Sequence, residues 1–397
     1  MDKFTFPGII AENGLFVDGD WVESKDQDKN GDVRLIQLAD IGDGYFIDKS
    51  NRYLTSQKAK ELKCTFLQKG DILLARMPDP LGRACVFPGL EMPCVTVVDV
   101  CIIRPDPIIV DTAYLKYLIN SPDFRKKIQK YITGTTRQRI SRGNLSKINF
   151  HLPPIEAQHR IVKILDLAQS LIEKRKQAIS YLDDYIKAIF LDMFGDPVSN
   201  PKKFPLTRLG TLGDWQSGGT PSRNNPDYFS GNIPWYSSGE LNDIFISDSN
   251  EYISEIAVKE SSAKKIPPRC LLLGMYDSAA LKSSITTKES SCNQAIAFAK
   301  LDENKANIIY VYHCIQYGKN HYKKNQRGVR QKNLNLSMIK SLQIPITNIN
   351  DQIEFERIFN KSFHYKQIMQ SQLKELEDNF QAQLQRAFKG ELSDQIK

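Results

Sequence analysis

No stretch of the 397 residues approaches the eighteen to twenty consecutive apolar residues that a membrane-spanning helix requires. The opening MDKFTFPGIIAENG lacks the charged head and apolar run of a secretory leader. Cysteines at 64, 85, 94, 101, 270, 292 and 314 form no C-x-x-C pair and have no histidine spacing that would build a zinc site. Together these absences lead us to expect a soluble cytoplasmic protein with no membrane partner, no metal and reduced, mostly buried thiols. There is no G-x-x-x-x-G-K-[ST] phosphate loop, which excludes a nucleotide-driven motor. There is also no Asn- or Asp-Pro-Pro-aromatic tetrapeptide of an amino-methyltransferase and no glycine-rich dinucleotide or S-adenosylmethionine turn, Gly42-Asp43-Gly44 being too short. The five histidines (151, 159, 313, 321, 364) have no Asp or Ser company that would suggest a triad. A binding protein with no catalytic residues and no cofactor of its own is the expectation.

What is present supports real cores: 41% hydrophobic and 10% aromatic residues exclude a disordered chain. The length suits two domains plus a further element. A net charge of +8 has the right sign for a polyanionic partner.

The chain is organised around residues 154–194. After Pro154 there is neither proline nor glycine until Gly195, and strong helix formers dominate. Ile161, Ile164, Ala168, Leu171, Ala178, Leu182, Tyr185 and Ile189 recur at alternating steps of three and four, the seam of a helix that pairs with another. Such a helix would be roughly 57 Å long. Residues 351–388 repeat the pattern: with Gln158 set on Gln352, Ile161 falls on Phe355, Ile164 on Ile358, Leu182 on Leu376 and Phe194 on Phe388. In the second copy Met369, Leu373, Leu376, Phe380, Leu384 and Ala387 drift toward an eleven-residue spacing.

Each long helix follows a block of mixed, β-rich character. Residues 33–41, 70–76 and 96–105 read as strands, and Thr112 to Asn120 and Pro122 to Tyr131 as helices. In the second block residues 233–241 stand where 33–41 stand, 270–276 where 72–78 stand, and Ile308 to Gln316 answers Thr112 to Asn120. A linker from Gly195 to Pro201 stops the first long helix. The fold class expected is α+β, with a pseudo-twofold internal repeat. Connectivity makes the two long helices antiparallel.

Basic residues cluster at equivalent points of the repeat. Residues 125–147 hold eight Lys or Arg and no acid, and residues 319–332 hold six and no acid. Candidate DNA contacts in the first run are Arg125, Lys126, Lys127, Arg137, Gln138, Arg139 and Arg142; in the second they are Lys323, Lys324, Arg327, Arg330, Gln331 and Lys332. Clustered cations suit phosphates, while Arg and Gln can make bidentate bonds to base edges. The loops after the central strands add Arg76 and Arg83 in one block and Tyr276 in the other. Trp235 and Tyr236 could stack on a base, although a Trp beside a strand is more often core. Glu61-Leu62-Lys63 with Asp48 could imitate the carboxylate-lysine core of a nuclease.

The repeat, the Asn144-Leu145-Ser146…Leu152-Pro153-Pro154-Ile155-Glu156-Ala157-Gln158 lead-in and the Asp192-Met193-Phe194-Gly195-Asp196-Pro197 exit make the chain similar to the specificity (S) subunit of type I restriction-modification systems, over nearly its whole length. Asp18-Gly19-Asp20-Trp21-Val22 also looks like the start of such a subunit's first recognition domain. The resemblance implies two β-rich target recognition domains at 1–153 and 198–346. Two conserved spacer helices would occupy 154–197 and 347–397, paired as a coiled coil. It further implies double-stranded DNA, two adenine-methyltransferase (M) subunits and restriction-translocase (R) subunits as partners, with S-adenosylmethionine, ATP and Mg belonging to those partners. Helix pairing and partner docking would fall to Ile161, Ile164, Leu171, Leu182, Tyr185, Ile189, Phe355, Ile358, Met369, Leu373, Leu376 and Phe380. Two departures stand out. The first block has no counterpart of Pro205-Leu206-Thr207-Arg208-Leu209-Gly210 and is expected to begin differently. The stretch 347–352 keeps only its last two residues in kind, so the two docking sites are expected to differ in affinity.

The function expected is a non-catalytic reader of an asymmetric, bipartite DNA target, with the helices setting the half-site spacing. A stand-alone sequence-specific nuclease and a recognition subunit of another DNA-modifying defence complex are the alternatives.

Overall fold

The structure, a computed structural model, describes residues 2–325 and 333–389. Its contacts divide the chain into two units. Unit 1 joins the chain up to Lys176 with the stretch from Ser371 onward, and unit 2 is Gln177–Gln370.

Unit 1 contains strands β1 (Asp2–Phe4), β2 (Leu15–Asp18), β3 (Val33–Ile36), β4 (Tyr53–Leu54), β5 (Ile72–Ala75), β6 (Ala84–Val86), β7 (Cys94–Thr96), β8 (Val100–Arg104) and β9 (Phe150–Leu152). Its short helices are α1 (Ser56–Glu61), α2 (Thr112–Asn120), α3 (Pro122–Gln129) and α4 (Arg142–Leu145). The central sheet runs β2-β8-β5-β6, all antiparallel, with Ile72 opposite Ile103 and Leu73 opposite Ile102. Side chains alternate across a strand, and here both faces are covered. Ile72, Leu74, Cys101 and Ile103 pack on the helical side with Tyr114, Leu118 and Phe124, while Leu73, Ala75 and Ile102 pack with Ile36, Ile41 and Phe87. This explains why β5 reads as an unbroken apolar run instead of an alternating one. A second sheet, β4-β3-β7, pairs β3 with β7 in parallel. Local capping fixes the helices: Asp111 accepts from the Tyr114 backbone N–H, and Ser121 caps α3 ahead of Pro122 at its first turn.

The first long helix, α5, spans Ile155–Phe194. Gly195 ends it at φ +77°, Lys202 Nζ donates to the Met193 carbonyl at 2.9 Å and also to that of Asp192, and Asp196 accepts from the Val198 and Ser199 N–H groups. These bonds hold the Asp196 carboxyl below its ordinary range, the Ser199 backbone N–H contributing most.

Unit 2 repeats the plan with β10 (Leu206–Arg208), β11 (Gly213–Ser217), β12 (Ile233–Tyr236), β13 (Phe245–Ile246), β14 (Tyr252–Ile253), β15 (Cys270–Gly274), β16 (Ser283–Thr286), β17 (Ser291–Cys292), β18 (Ile296–Leu301) and β19 (Gln343–Pro345), and helices α6 (Glu255–Glu260), α7 (Ile308–Tyr322) and α8 (Leu336–Ser341). The main sheet is β11-β18-β15-β16-β13; the smaller one, β14-β12-β17, again has a parallel pair, β12 with β17. Helix α7 runs six residues beyond the Ile308–Gln316 expected from sequence. The second long helix, α9, is Ile349–Lys389.

The expectation that the first block begins differently is corrected. β1 pairs antiparallel with β9, Asp2 opposite Leu152, just as β10 pairs with β19, Leu206 opposite Pro345. Three residues of Asp-Lys-Phe carry too little periodicity to be read as a strand, and the pairing is supplied by the partner 148 residues later.

Each unit is completed by segments of both long helices. In unit 1, Ile161, Val162 and Leu165 of α5 and Leu384 and Ala387 of α9 enter the core that holds the β5 and β8 side chains, and Lys176 pairs with Glu377 at 2.7 Å. In unit 2, Ile186, Phe190 and Phe194 of α5 meet Phe355 and Phe359 of α9, and Lys366 bonds both Asp183 oxygens at 2.6 and 2.7 Å. The early part of one helix meets the late part of the other in both units, so the segments are antiparallel in each. The seam departs from the expected line. Leu171 and Tyr185 are 46% and 48% exposed, and the neighbouring Ile172 and Ile186 are buried in their place. Ile161, Phe355 and Leu384 are buried, while Ile164, Leu182, Ile189, Ile358, Met369, Leu373, Leu376 and Phe380 are half-buried.

A repeated glutamine locks each helix start. Gln158 accepts from the Asp111 N–H at 2.9 Å and donates to Pro153 and Ile109 carbonyls at 2.8 and 3.0 Å; Gln352 accepts from the Asn307 N–H at 2.9 Å and donates to the Thr347 carbonyl at 2.8 Å. Asp111 and Asn307 are the N-caps of α2 and α7, so one side chain ties three elements.

Candidate nucleic-acid interface

In unit 1 the basic run leaves α3 and forms a narrow loop. Thr133 and Arg139 exchange backbone hydrogen bonds at 2.9 Å in both directions. Gly134 lies at φ +92°, and a Cβ there would sit 2.4 Å from the Arg137 carbonyl oxygen, so the turn requires glycine. Thr135, Thr136, Arg137, Gln138 and Arg139 are exposed in consequence. The loop is rooted at its far end, where buried Ile140 donates its N–H to the Arg76 carbonyl at 3.0 Å, and Asn144 Nδ2 donates to the Tyr131 carbonyl at 3.1 Å. Residue 76 is the first after β5, so the loop stands on the end of the central strand.

The cations divide into two groups. Arg83, expected among the DNA contacts, is 7% exposed and instead donates to the carbonyls of Ile41, Leu38, Pro80 and Met77 at 2.6, 2.8, 3.0 and 3.3 Å. A loop with prolines at 78 and 80 has carbonyls with no strand partner, and the guanidinium fork satisfies them; burial pushes its pKa down from the usual value. Arg76 also turns inward, donating to the Val98 carbonyl with Asp18 3.4 Å from its Nε. These two expectations are corrected: both arginines hold the loop, and neither is presented to a ligand. Arg125 bonds Asp43 and Asn120 at 2.6 and 2.9 Å, Lys127 bonds the Asn149 carbonyl at 2.9 Å, and Arg142 bonds the Phe16 carbonyl at 3.0 Å while staying exposed. Lys126, Arg137 and Arg139 are exposed, and the side chains of Arg137 and Gln138 reach no protein partner among the described residues.

In unit 2 the chain just after the basic run, at Asn333 and Leu334, bonds to the equivalent strand end. Tyr276 and Asn333 form an antiparallel bridge, and the Leu334 N–H donates to the Met275 carbonyl at 2.7 Å, at the end of β15. Lys323 Nζ reaches the Ser278 carbonyl at 3.3 Å; Lys324 is exposed and Tyr276 is 36% exposed. Arg327, Arg330, Gln331 and Lys332 lie outside the described residues. Trp235 is core, with its indole N–H on the Gly219 carbonyl at 3.0 Å, and Tyr236 is fully buried, so neither is available to stack on a base. Sequence reasoning passed over Trp21 and Tyr45 as surface groups, yet they are 70% and 62% exposed in unit 1. The Asp-Gly-Asp-Trp turn was the available signal for the first.

The carboxylate-lysine set does not assemble: Glu61 pairs with Lys58 at 2.6 Å and Asp48 with Arg34 at 2.8 Å. Among the described residues no group of three or more His, Cys, Asp or Glu is placed to hold a metal ion. All seven cysteines are free; burial raises the thiols of Cys64 and Cys94 to about 11 and that of Cys85 to about 12. Among the described residues no helix is long and apolar enough to cross a membrane.

Residues 14–181 and 201–378 match the family described as "Type I restriction modification DNA specificity domain", one copy in each half. The chain is similar to the EcoR124I/EcoR124II specificity subunit of Escherichia coli, 27% identical over 243 residues, covering 57% of each protein. It is similar also to the MjaIX specificity subunit of Methanocaldococcus jannaschii, 24% identical over 251 residues, 59% of this chain and 57% of that one. The chain thus spans a little over half the length of these curated relatives. Among solved structures, one from work on complex assembly and conformational transition of the type I R-M system aligns with a TM-score of 0.64 at 14% identity, covering 98% of this chain and 97% of that one. The S subunit from M. genitalium aligns at 0.56 and 13%, covering 98% and 96%. At these identities the likeness is one of fold.

Proposed function

The chain belongs to the type I restriction-modification DNA specificity family, and from that premise we propose that it is the non-catalytic reader that directs a partner methyltransferase to a bipartite DNA target. The observation that carries the reading is the repeated root. In each unit a hydrogen bond reaches the residue that follows the central strand, from Ile140 within the first acid-free basic run to Arg76, and from Leu334, just past the second run, to Met275. A loop so rooted can hold exposed side chains against a duplex while the sheet supplies rigidity.

In this reading residues 1–153 and 198–346 are the recognition domains and residues 154–197 and 347–397 the spacers. Lys126 and Arg139 serve phosphates, Arg137 and Gln138 base edges. The segment with Arg327, Arg330, Gln331 and Lys332 does the same for the second half-site, with Tyr276, Lys323 and Lys324 beside it. Because the two blocks share a scaffold and differ in sequence, the target is asymmetric. Two methyltransferase subunits dock on the helices, where Leu171 and Tyr185 are exposed apolar contacts, and restriction subunits complete the assembly. S-adenosylmethionine, ATP and Mg act in those partners. An adenine must leave the duplex to be methylated, and that step belongs to the methyltransferase.

The test is a paired substitution in the complete complex. Arg137→Ala with Gln138→Ala lowers affinity about tenfold through one half-site and relaxes base preference there, as expected for lost bidentate base contacts. Unchanged binding and unchanged adenine methylation would falsify the assignment.

A further inference from the structure

Unit 2 contains a cavity of about 360 Å³ between α7 and the unit's segments of the two long helices. That volume lies in the range of small-molecule sites, roughly 300–1,000 Å³. Tyr312, Tyr317, Phe359 and Phe363 contribute rings to its lining. His313 also lines it, 4% exposed, stacked on Phe190 and met edge-on by Phe355 and Phe359. The ring is held in one tautomer. Nδ1 lies 2.9 Å from the Ile309 carbonyl, which can only accept, so Nδ1 carries the proton and Nε2 a lone pair. Burial keeps the imidazole neutral, its pKa pushed down to about 4. Nε2 finds no partner among the described residues. An acceptor with no protein partner in the lining of a partly aromatic cavity is open to a ligand's donor.

The rim narrows the ligand's charge. Asp183 and Lys366 neutralise each other across the two helices at 2.6 Å. Unit 1 gives a contrast at the position 196 residues earlier. There Tyr117 sends its hydroxyl to Asp166 at 2.6 Å, and the neighbouring cavity is lined by Asp43, Lys116, Glu173 and Lys176. Unit 2 has histidine in place of that tyrosine, and its cavity sets Tyr312, Tyr317, Phe359 and Phe363 beside the charged Asp183, Asp184, Lys187 and Lys366. The same scaffold position has lost its internal donor and gained a stacking surface.

We propose that this cavity is a binding site for a neutral planar aromatic group bearing one N–H or O–H donor, an indole or a phenol, which donates to His313 Nε2 while stacking between Tyr317 and Phe363. The site is independent of DNA reading and is tested by a different measurement. The complete chain is titrated with indole and with indene, its isostere lacking the donor, and binding is followed by saturation-transfer NMR. Saturable indole binding is expected, about fivefold tighter than indene, the share of one net hydrogen bond. His313→Phe, which keeps a ring and removes the acceptor, abolishes the difference. Absent indole saturation, or equal affinity for the two probes in the native chain, overturns the proposal; that comparison needs no variant and stands even where His313→Phe fails to fold. Once indole binding is seen, adding the partner methyltransferase identifies the source. Competition assigns the group to an aromatic side chain of the partner, and undiminished indole binding assigns it to a free small molecule.

Discussion

Arg83 and Arg137 carry the same charge to opposite ends. One is enclosed and directs its donors to four carbonyls, and the other stands on a glycine-dependent turn with no protein partner among the described residues. Arg83→Ala is expected to cost about 3 kcal/mol of stability, because it strands buried carbonyls; urea unfolding of the isolated chain measures it, and a loss within 0.5 kcal/mol would contradict the role given to the guanidinium. Residue type alone could not separate the two, since both are arginines in loops that contain glycine. His313 is the other residue whose surroundings decide its behaviour. Its folded pKa is depressed to about 4, so the unfolded chain binds the extra proton between roughly pH 6.5 and pH 4. Stability is therefore fully present above pH 6.5 and falls as pH drops toward 4, by up to about 3 kcal/mol. Denaturation midpoints measured across that window should decline in the native chain and decline less in His313→Phe.

At the scale of elements, the long helices were legible nearly to the residue, because forty residues without Gly or Pro, stopped by Gly195, leave little alternative. Their phase was not. Leu171 and Ile172, like Tyr185 and Ile186, are adjacent apolar pairs, so two stripes one residue apart fit the spacing equally well. Only packing selects Ile172 and Ile186. Helices α2 and α7 were placed correctly at their starts, where Asp111 and Asn307 are capping residues. The three-residue β1 was not placed, being strand only by virtue of β9. If the long helices set the half-site spacing, lengthening both by seven residues adds roughly 10 Å of rise, or about three unread base pairs. Sequencing of methylated sites would then return the same half-sites around a longer gap. An unaltered gap would remove the helices from that role.

For the molecule as a whole, the duplication was the most readable feature, and it reached further than sequence identity suggested. The parallel pair in each smaller sheet, the Gln158 and Gln352 locks and the backbone bond to the residue after the central strand all recur. The candidate site was readable as two basic runs, but which cations face outward depended on carbonyls that no sequence displays. Unit 1 is also discontinuous: Phe380, Leu384, Ala387 and Phe388 pack on a core otherwise made from the first 176 residues, with Tyr114 against Phe388 and Tyr117 against Phe380. Truncation before Ser371 should therefore leave unit 2's sheet protected from hydrogen exchange while raising exchange in β5 and β8 of unit 1. Equal protection in both would contradict the shared core.

The same discontinuity has a consequence during synthesis. The 194 residues Gln177–Gln370 separate the two pieces of unit 1, and at elongation rates of roughly 5–20 residues per second they take about 10–40 s to translate. For that interval the first-made half waits on the ribosome with a greasy flank uncovered, until the last helix of its own polypeptide arrives to close it.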